Sequence, residues 1–497
     1  MRKTSTRAND SPVGLSQRGR LAFLLQDSVM YGGAAAISKA FSLVTFPLLA
    51  RHFSVADYGV LDYFMVLGSL LAILFVFGQD SAVARFFYES EDATQRRQVI
   101  SQSLAFQWAG VVLCVPLLWW FAPSLTPWLI TGTDRDALLR IVLLQVPFLL
   151  LINFSQNLLK WTFARAQFLA MTLGATIVQM TLLVVGIQWF ELGIAGVLWL
   201  SWITHVVFAV LGLWFVRDWL AWPRDWWHLR QMLPFALPLG LICVVGAFSP
   251  TLERSLTDSL LGPESLGLYA AAAKVAMLIG LLVSSFQTAW GPFSLSLYKQ
   301  ADAGQTYNGV LQLFAMGACV VALVIAGLAQ PLLRVLAGAR YEGAAWVVFP
   351  LVMSLAVQAT SWITEIGIGI SKRSYLSLYA YAALLVVTLV SISVLGPRFG
   401  LVGVGVGVLL GQTIKGIVAS ALAQRAYPLP WSYGPVLFLL GLTLVTGFTA
   451  AWLQEVWGDV PALATYALGI AAVLLTSWTT RPRQKQPPPH GEEVSRC

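Results

Sequence analysis

Pro47-Leu48-Leu49-Ala50-Arg51, running through Asp57-Tyr58-Gly59 to Gln79, decides the fold, because a second stretch repeats its plan. That second stretch is Pro250-Thr251-Leu252-Glu253-Arg254, followed by Gly262-Pro263-Glu264, Gly267 and finally Gln287. Each copy reads Pro-x-x-x-Arg, a short polar turn, a glycine, and about 20 residues to a glutamine that closes an apolar run. The second copy is five residues longer between Arg and Gly, so the match needs one gap. Both stand at the same ends of two similar hydrophobic hairpins, the pattern of an internal duplication.

Outward from the repeat, the chain is apolar nearly throughout. Of its 497 residues 58% are hydrophobic and 11% charged, well below the roughly 25% charge of a soluble domain, so the composition is that of a polytopic membrane protein. Tryptophans at the edges of apolar runs (Trp119, Trp120, Trp226, Trp227, Trp457) fit interfacial belts. The hydropathy predicts an all-α fold of about fourteen spans: 29–50, 59–78, 99–121, 138–159, 168–189, 193–216, 233–252, 267–290, 309–329, 345–368, 375–395, 400–422, 434–452 and 460–479. The predicted organisation is a 1–28 N-terminal segment, an N-lobe over 29–216, a 217–232 linker, a C-lobe over 233–422, two extra helices over 423–480 and a Pro-rich disordered tail over 481–497. In the linker Trp219, Trp222, Trp226 and Trp227 alternate with Arg and His. It reads either as an interfacial helix on anionic headgroups or as a greasy connection.

The net charge of +8 does not point to nucleic acid, because the basic residues are spread over short loops. With the N-terminus placed inside, 21 of the 31 basic residues fall on the inner side, seven on the outer, and Lys39, Lys274 and Lys415 within spans. This threefold bias predicts a cytoplasmic location for both termini. Cys114, Cys243 and Cys319 lie in apolar runs and Cys497 is the last residue, so no disulfide framework is expected. Residues 1–28 are too polar for a signal peptide.

No Gly-Lys dipeptide, hence no P-loop, occurs; nor does His-Glu-x-x-His, Gly-x-Ser-x-Gly or Gly-x-Gly-x-x-Gly, and the four histidines are scattered. The chain is therefore expected to be no enzyme and to carry no cofactor or metal. What remains is charge inside the membrane, which costs about 2.5–3.5 kcal/mol per group and so faces a cavity or a partner. Lys39 is deepest, about ten residues from either end of its span. It flanks a stripe of Tyr31, Ala35, Ser38, Ser42 and Thr45 that either lines a wet cavity or packs closely on another helix. Lys274 follows Ala270-Ala271-Ala272-Ala273, and Lys415 continues the ridge Gly403, Gly407, Gly411; either lysine faces a cavity or snorkels. Arg51 and Arg254 occupy matching places in the repeat, as ordinary interfacial arginines or as a pair guarding an outer mouth. Asp62, Asp80, Glu253 and Glu365 are the candidates for proton or sodium coupling, each near a span end and so within reach of solvent. On this count the deep charges are lysines and the acids peripheral, which suits an anionic ligand, phosphate or diphosphate above all.

Ile37-Ser38-Lys39, Phe46-Pro47-Leu48-Leu49-Ala50-Arg51 and Asp57-Tyr58-Gly59 resemble the first hairpin of the polysaccharide (Wzx-type) flippases of the multidrug/oligosaccharidyl-lipid/polysaccharide exporter superfamily. Gly78-Gln79-Asp80-Ser81 with Arg85-Phe86-Phe87-Tyr88 is similar to the end of that family's second helix. Leu261-Gly262-Pro263-Glu264, Gly267-Leu268-Tyr269 and Ala272-Ala273-Lys274 resemble the start of its eighth, and Arg340-Tyr341-Glu342-Gly343-Ala344 its loop before the tenth. The resemblance spans about residues 20–425. It implies two six-helix lobes around a central cavity, alternating access in a bacterial inner membrane, and an undecaprenyl-diphosphate-linked glycan as cargo for O-antigen, capsule or exopolysaccharide. It implies Lys39 and Lys274 as the cations that hold the diphosphate, the lipid bilayer as surroundings and other polysaccharide-assembly proteins as further partners. A flippase for the peptidoglycan precursor ranks second, since its arginine-rich opening is missing. A drug antiporter would want deep acids, and a glycan polymerase or ligase a large outer loop.

Overall fold

The computed structural model describes residues 43–90, 92–132, 135–297 and 303–479, with isolated positions at 30, 33, 37, 38, 41 and 300. Among the described residues every regular element is helical. Nine positions of the predicted first span, Lys39 among them, lie outside the described residues; its end forms helix α1, residues 43–52.

The first fingerprint explains how α2 (Val55–Val76) begins. Ser54 is its N-cap, accepting from the Asp57 backbone N–H at 3.1 Å while its hydroxyl donates to the Asp57 carboxylate at 2.7 Å. Then follow α3 (Gln79–Glu89), α4 (Ala93–Trp120), α5 (Ala122–Leu129), α6 (Arg135–Trp161), α7 (Arg165–Phe190) and α8 (Ile194–Val216). The second half opens with α9 (Trp227–Leu261), and the second fingerprint ends it and starts the next helix. Gly262, at φ 83°, turns the chain, and Pro263 supplies the first residue of α10 (Pro263–Ala276). Beyond lie α11 (Ile279–Leu297), α12 (Ala303–Gly327), α13 (Ala329–Leu336), α14 (Ala345–Thr364), α15 (Ile366–Ser371), α16 (Tyr375–Ala426), α17 (Tyr433–Trp457) and α18 (Asp459–Thr479).

Eleven helical stretches among the described residues are long and apolar enough to cross a membrane. They do not match the fourteen predicted spans one to one. The span expected at 267–290 is broken into α10 and α11 at Met277–Leu278, where Leu278 N–H bonds to Val275 O and Gly280 N–H to Met277 O, tightening the turn. The 52-residue α16 contains two predicted spans, because Gly400 at φ 58°, ψ −141° turns the chain back on itself. On the returning arm the ridge Gly403, Gly407, Gly411 packs on Leu395, Ile392 and Thr388 of the arm before the turn, so it is a helix-packing face.

The 217–232 connection is not a continuous helix. One 3-10 turn (Arg217–Trp219) gives way to extended chain before α9. Pro223 lacks an N–H, and side chains of α4 take the neighbouring ones: Ser101 accepts from Ala221 N–H, Gln98 from Arg224 N–H and Gln102 from Leu229 N–H.

The two halves meet along α2, which packs on α9 and α10. The repeated glycines of the two fingerprints face each other there. A Cβ on Gly267 would collide with the Val55 carbonyl oxygen, and one on Gly59 with the Gly267 backbone nitrogen. Tyr58 stacks edge-on against Tyr341 at 6.0 Å beside this contact. Arg51 donates to Val335 O and Arg340 to Ala50 O, so backbone carbonyls of each half are held by the other.

Candidate functional site

Two turns into α2, Asp62 projects toward the second half. Opposite it, α9 presents Glu253 and Arg254 and α10 presents Tyr269 and Lys274. Arg254 Nε donates to Asp62 Oδ2 at 2.7 Å, and Lys274 Nζ lies 3.4 Å from Oδ1, so one carboxylate holds two cations across the interface. Arg254 also donates through Nη1 to Pro250 O at 3.1 Å, and its guanidinium sits 5.6 Å from the Tyr269 ring. Glu253 is held separately: Tyr269 donates its hydroxyl to Oε2 at 2.7 Å, and Ser249 to Oε1 at 2.9 Å.

Asp62, Glu253 and Arg254 are 2%, 7% and 6% exposed, which overturns for Asp62 and Glu253 the expectation that they are solvated near span ends; Asp80 and Glu365 are partly exposed. Removing charged groups from water costs several kcal/mol each, and pairing offsets this incompletely, so such a cluster is a poor device for stability alone. Glu253, Arg254, Tyr269 and Lys274 line a cavity of about 530 Å³ between α2 and the second half, together with Gln358, Tyr381 and Gln412, while Asp62 holds the two cations from behind this lining. Two cations share Asp62 while Glu253 is engaged by hydroxyls, so an anion entering the cavity meets donors that one carboxylate only partly satisfies.

A second buried pair lies deeper in the second half. Lys415 Nζ donates to Glu365 Oε1 at 2.7 Å and reaches Ser361 Oγ at 3.4 Å, and the ammonium lies 4.9 Å from the Tyr381 ring centre. Lys415 is fully buried, so it does not snorkel, and it is the ion-pair partner of Glu365. Tyr381 lines the central cavity with its ring over this pair. Lys415→Met strands the Glu365 carboxylate and is expected to destabilise the protein by about 3 kcal/mol. Adding Glu365→Leu should restore most of the lost melting temperature in detergent-purified protein, because a matched apolar pair needs no counter-charge.

The remaining candidates are dispersed. Arg51 is exposed and bonded to Val335 O rather than facing the cavity. It therefore does not share Arg254's placement at the cavity, although the repeat aligns them. Asp80 lies in the first turn of α3, accepting from Ser81 N–H at 2.8 Å, and does not line the cavity. Lys39 lies outside the described residues. Its stripe-mates Ser38 and Thr45 line a different cavity inside the first half, and Ser38 accepts from Thr176 Oγ1 at 3.1 Å. Three groups escape the sequence reading. Tyr269 has a signal there, because Glu253 and Tyr269 stand at similar distances before and after the Gly262 turn and so face each other in a hairpin. Tyr381 and Asp258 carry no such signal; buried Asp258 takes both the N–H and the hydroxyl of Thr131, at 2.6 and 2.7 Å.

The whole arrangement matches known membrane transporters in fold. A lipid II flippase MurJ in its inward-closed conformation aligns with a TM-score of 0.71 at 16% identity, covering 91% of this chain and 98% of that one. An inward-facing multidrug resistance MATE family transporter of the MOP superfamily aligns at 0.65 and 14% identity, covering 78% of this chain and 94% of that one. A point mutant of the Vibrio cholerae MATE transporter VcmN gives 0.58 at 17% identity, covering 81% of this chain and 96% of that one. At such identities the likeness shows the fold: an all-helical, multi-pass membrane protein of the MurJ and MATE type. No curated protein matches the chain. The family model described as polysaccharide biosynthesis protein matches residues 24–297, more than half of the sequence and the part that supplies Asp62, Glu253, Arg254 and Lys274. The chain belongs to the polysaccharide biosynthesis protein family.

Proposed function

We propose that the protein is a flippase that carries an undecaprenyl-diphosphate-linked oligosaccharide across the bacterial inner membrane, for O-antigen, capsule or exopolysaccharide synthesis. The observation that carries this reading is the pair of cations, Arg254 and Lys274, that share Asp62 and line a cavity between the two halves. Membership of the polysaccharide biosynthesis family supports the glycan, and the fold shared with MurJ and MATE transporters supports transport.

In this reading a diphosphate takes the cations that Asp62 holds in its absence. Arg254 offers a planar fork suited to phosphate oxygens and Lys274 a mobile point charge. Lys39 is proposed as a further cation at the same headgroup. The lipid tail stays in the bilayer while the halves rock about the site, so no step breaks a covalent bond. Asp62, Glu253 and Glu365 are the proposed coupling groups, since each sits in a charged or hydroxyl-bonded network that gain or loss of a proton would rearrange. The charge bias of the loops supports cytoplasmic termini, with the fingerprint end of the molecule outside.

Deleting the gene tests the reading. Lipid-linked oligosaccharide should accumulate on the cytoplasmic leaflet while surface glycan disappears. Lys39→Ala with Lys274→Ala should fail to restore export at normal protein levels. Normal surface glycan with accumulation of the peptidoglycan precursor would instead assign the second-ranked cargo, which carries the same diphosphate.

A further inference from the structure

The flippase reading leaves a second cavity unused, inside the first half. It measures about 360 Å³ and is lined mainly by α1, α2, α6, α7 and α8. Its polar lining differs in kind from the central cavity. Gln145, Thr176, Gln179, Ser201 and Thr204 contribute amides and hydroxyls, and His205 an imidazole, while Phe41, Phe64 and Met180 supply apolar wall. Among the described lining residues none is Asp, Glu, Lys or Arg.

Part of this polar set is committed to the protein. Gln145 donates to Leu198 O at 2.8 Å, and Gln179 donates through Nε2 to Ser201 Oγ at 3.1 Å. Part is not. Gln179 Oε1 and His205 Nδ1 are buried without a partner among the described residues, in a position where a lost hydrogen bond is costly. Ser69 of α2 lines both this cavity and the central one, so the two approach each other at that residue.

We propose that this cavity is the subsite for the sugar residues next to the diphosphate. The inference rests on the flippase reading above and assigns it a second contact. Sugars present neutral hydroxyl and acetamido groups that both donate and accept, together with apolar C–H faces. Side-chain amides, hydroxyls and a neutral imidazole meet the first, and aromatic and methionine side chains the second. The volume falls in the range of ordinary small-ligand pockets, roughly 300–1,000 Å³, room for a sugar unit or two rather than a whole repeat. With the diphosphate on Arg254 and Lys274, the first sugars pass Ser69 and reach Gln179. Charge on one side and neutral polarity on the other then divide the headgroup by its chemistry.

The test compares two lipids on the full-length protein in nanodiscs: undecaprenyl diphosphate, and the undecaprenyl-diphosphate-linked oligosaccharide isolated from the deletion strain. Gln179→Leu removes an open acceptor. His205→Leu removes the other unpartnered atom and provides a second variant if the first does not accumulate. Each is expected to weaken binding of the glycosylated lipid about tenfold or more, the scale of a lost buried hydrogen bond, and to leave undecaprenyl diphosphate within about twofold. Equal weakening of both lipids, or no change in either, overturns the subsite while leaving the flippase reading intact. A wild-type protein that binds neither lipid overturns the flippase reading and the subsite with it.

Discussion

Arg254→Ala is expected to reduce surface glycan at least about tenfold with the protein present at its normal level, and Arg254→Ala with Lys274→Ala to abolish it. The magnitude follows from charge-assisted hydrogen bonds, each worth about 1.5–3 kcal/mol, or roughly one to two powers of ten per residue. The direction follows from Asp62. Its carboxylate is held by Arg254 at 2.7 Å and by Lys274 at 3.4 Å, the two cations that the proposed diphosphate would take over. Arg254→Lys keeps the charge and loses the fork, so intermediate export is expected. Immunodetection of the protein together with its melting temperature separates lost binding from lost folding. Breaking a buried pair also destabilises, so Arg254→Lys, which retains a cation for Asp62, is the cleaner of the two variants.

Gly267→Ala should have the next largest effect, by a different route. No side chain can yield to relieve the contact, because the new methyl meets the backbone of Val55, and Val55 lies close to Gly59 in the facing helix. Overpacking of this kind costs about 1–3 kcal/mol, enough to shift the balance of states by about tenfold. The contact joins the two halves, so the penalty falls on the arrangement in which they touch at the fingerprint end and leaves each half intact. A cysteine at Val60, fully buried in this arrangement, reports on it. With the four native cysteines replaced by alanine, Val60→Cys should react slowly with an impermeant maleimide and quickly when Gly267→Ala is added, with export falling in parallel. Unchanged labelling would mean that the backbone shifts to accept the methyl without parting the halves.

Much of this architecture is legible from sequence because a membrane admits few solutions. Long apolar runs must be helices, and Gly59 and Gly267 mark the place where two of them touch, although nothing in the repeat says that the two glycines touch each other. Counting along the chain misleads wherever a neighbouring helix covers a residue. Asp62 lies near the start of its span and reads as solvent-accessible, yet α9 and α10 close over it. Lys415 lies near enough to its span end to snorkel, yet α14 and α15 bury it against Glu365. The charges themselves are visible as isolated ionisable residues in apolar surroundings. Their pairing is not, because Asp62 and Arg254 stand 192 positions apart and meet only through the packing of the two halves. The repeat likewise aligns Arg51 with Arg254, though only Arg254 is buried, so duplication predicts placement and not chemistry.

Translocation measured directly bears hardest on the central claim, that the Arg254–Lys274 cations carry the diphosphate of a lipid-linked oligosaccharide. Purified protein would be reconstituted into liposomes containing undecaprenyl-diphosphate-linked oligosaccharide, and transfer followed by the glycan becoming accessible to an added glycosidase. Transfer is predicted for the native protein and lost in the Arg254→Ala, Lys274→Ala double variant that still folds and inserts. Native rates in that double variant would contradict the assignment.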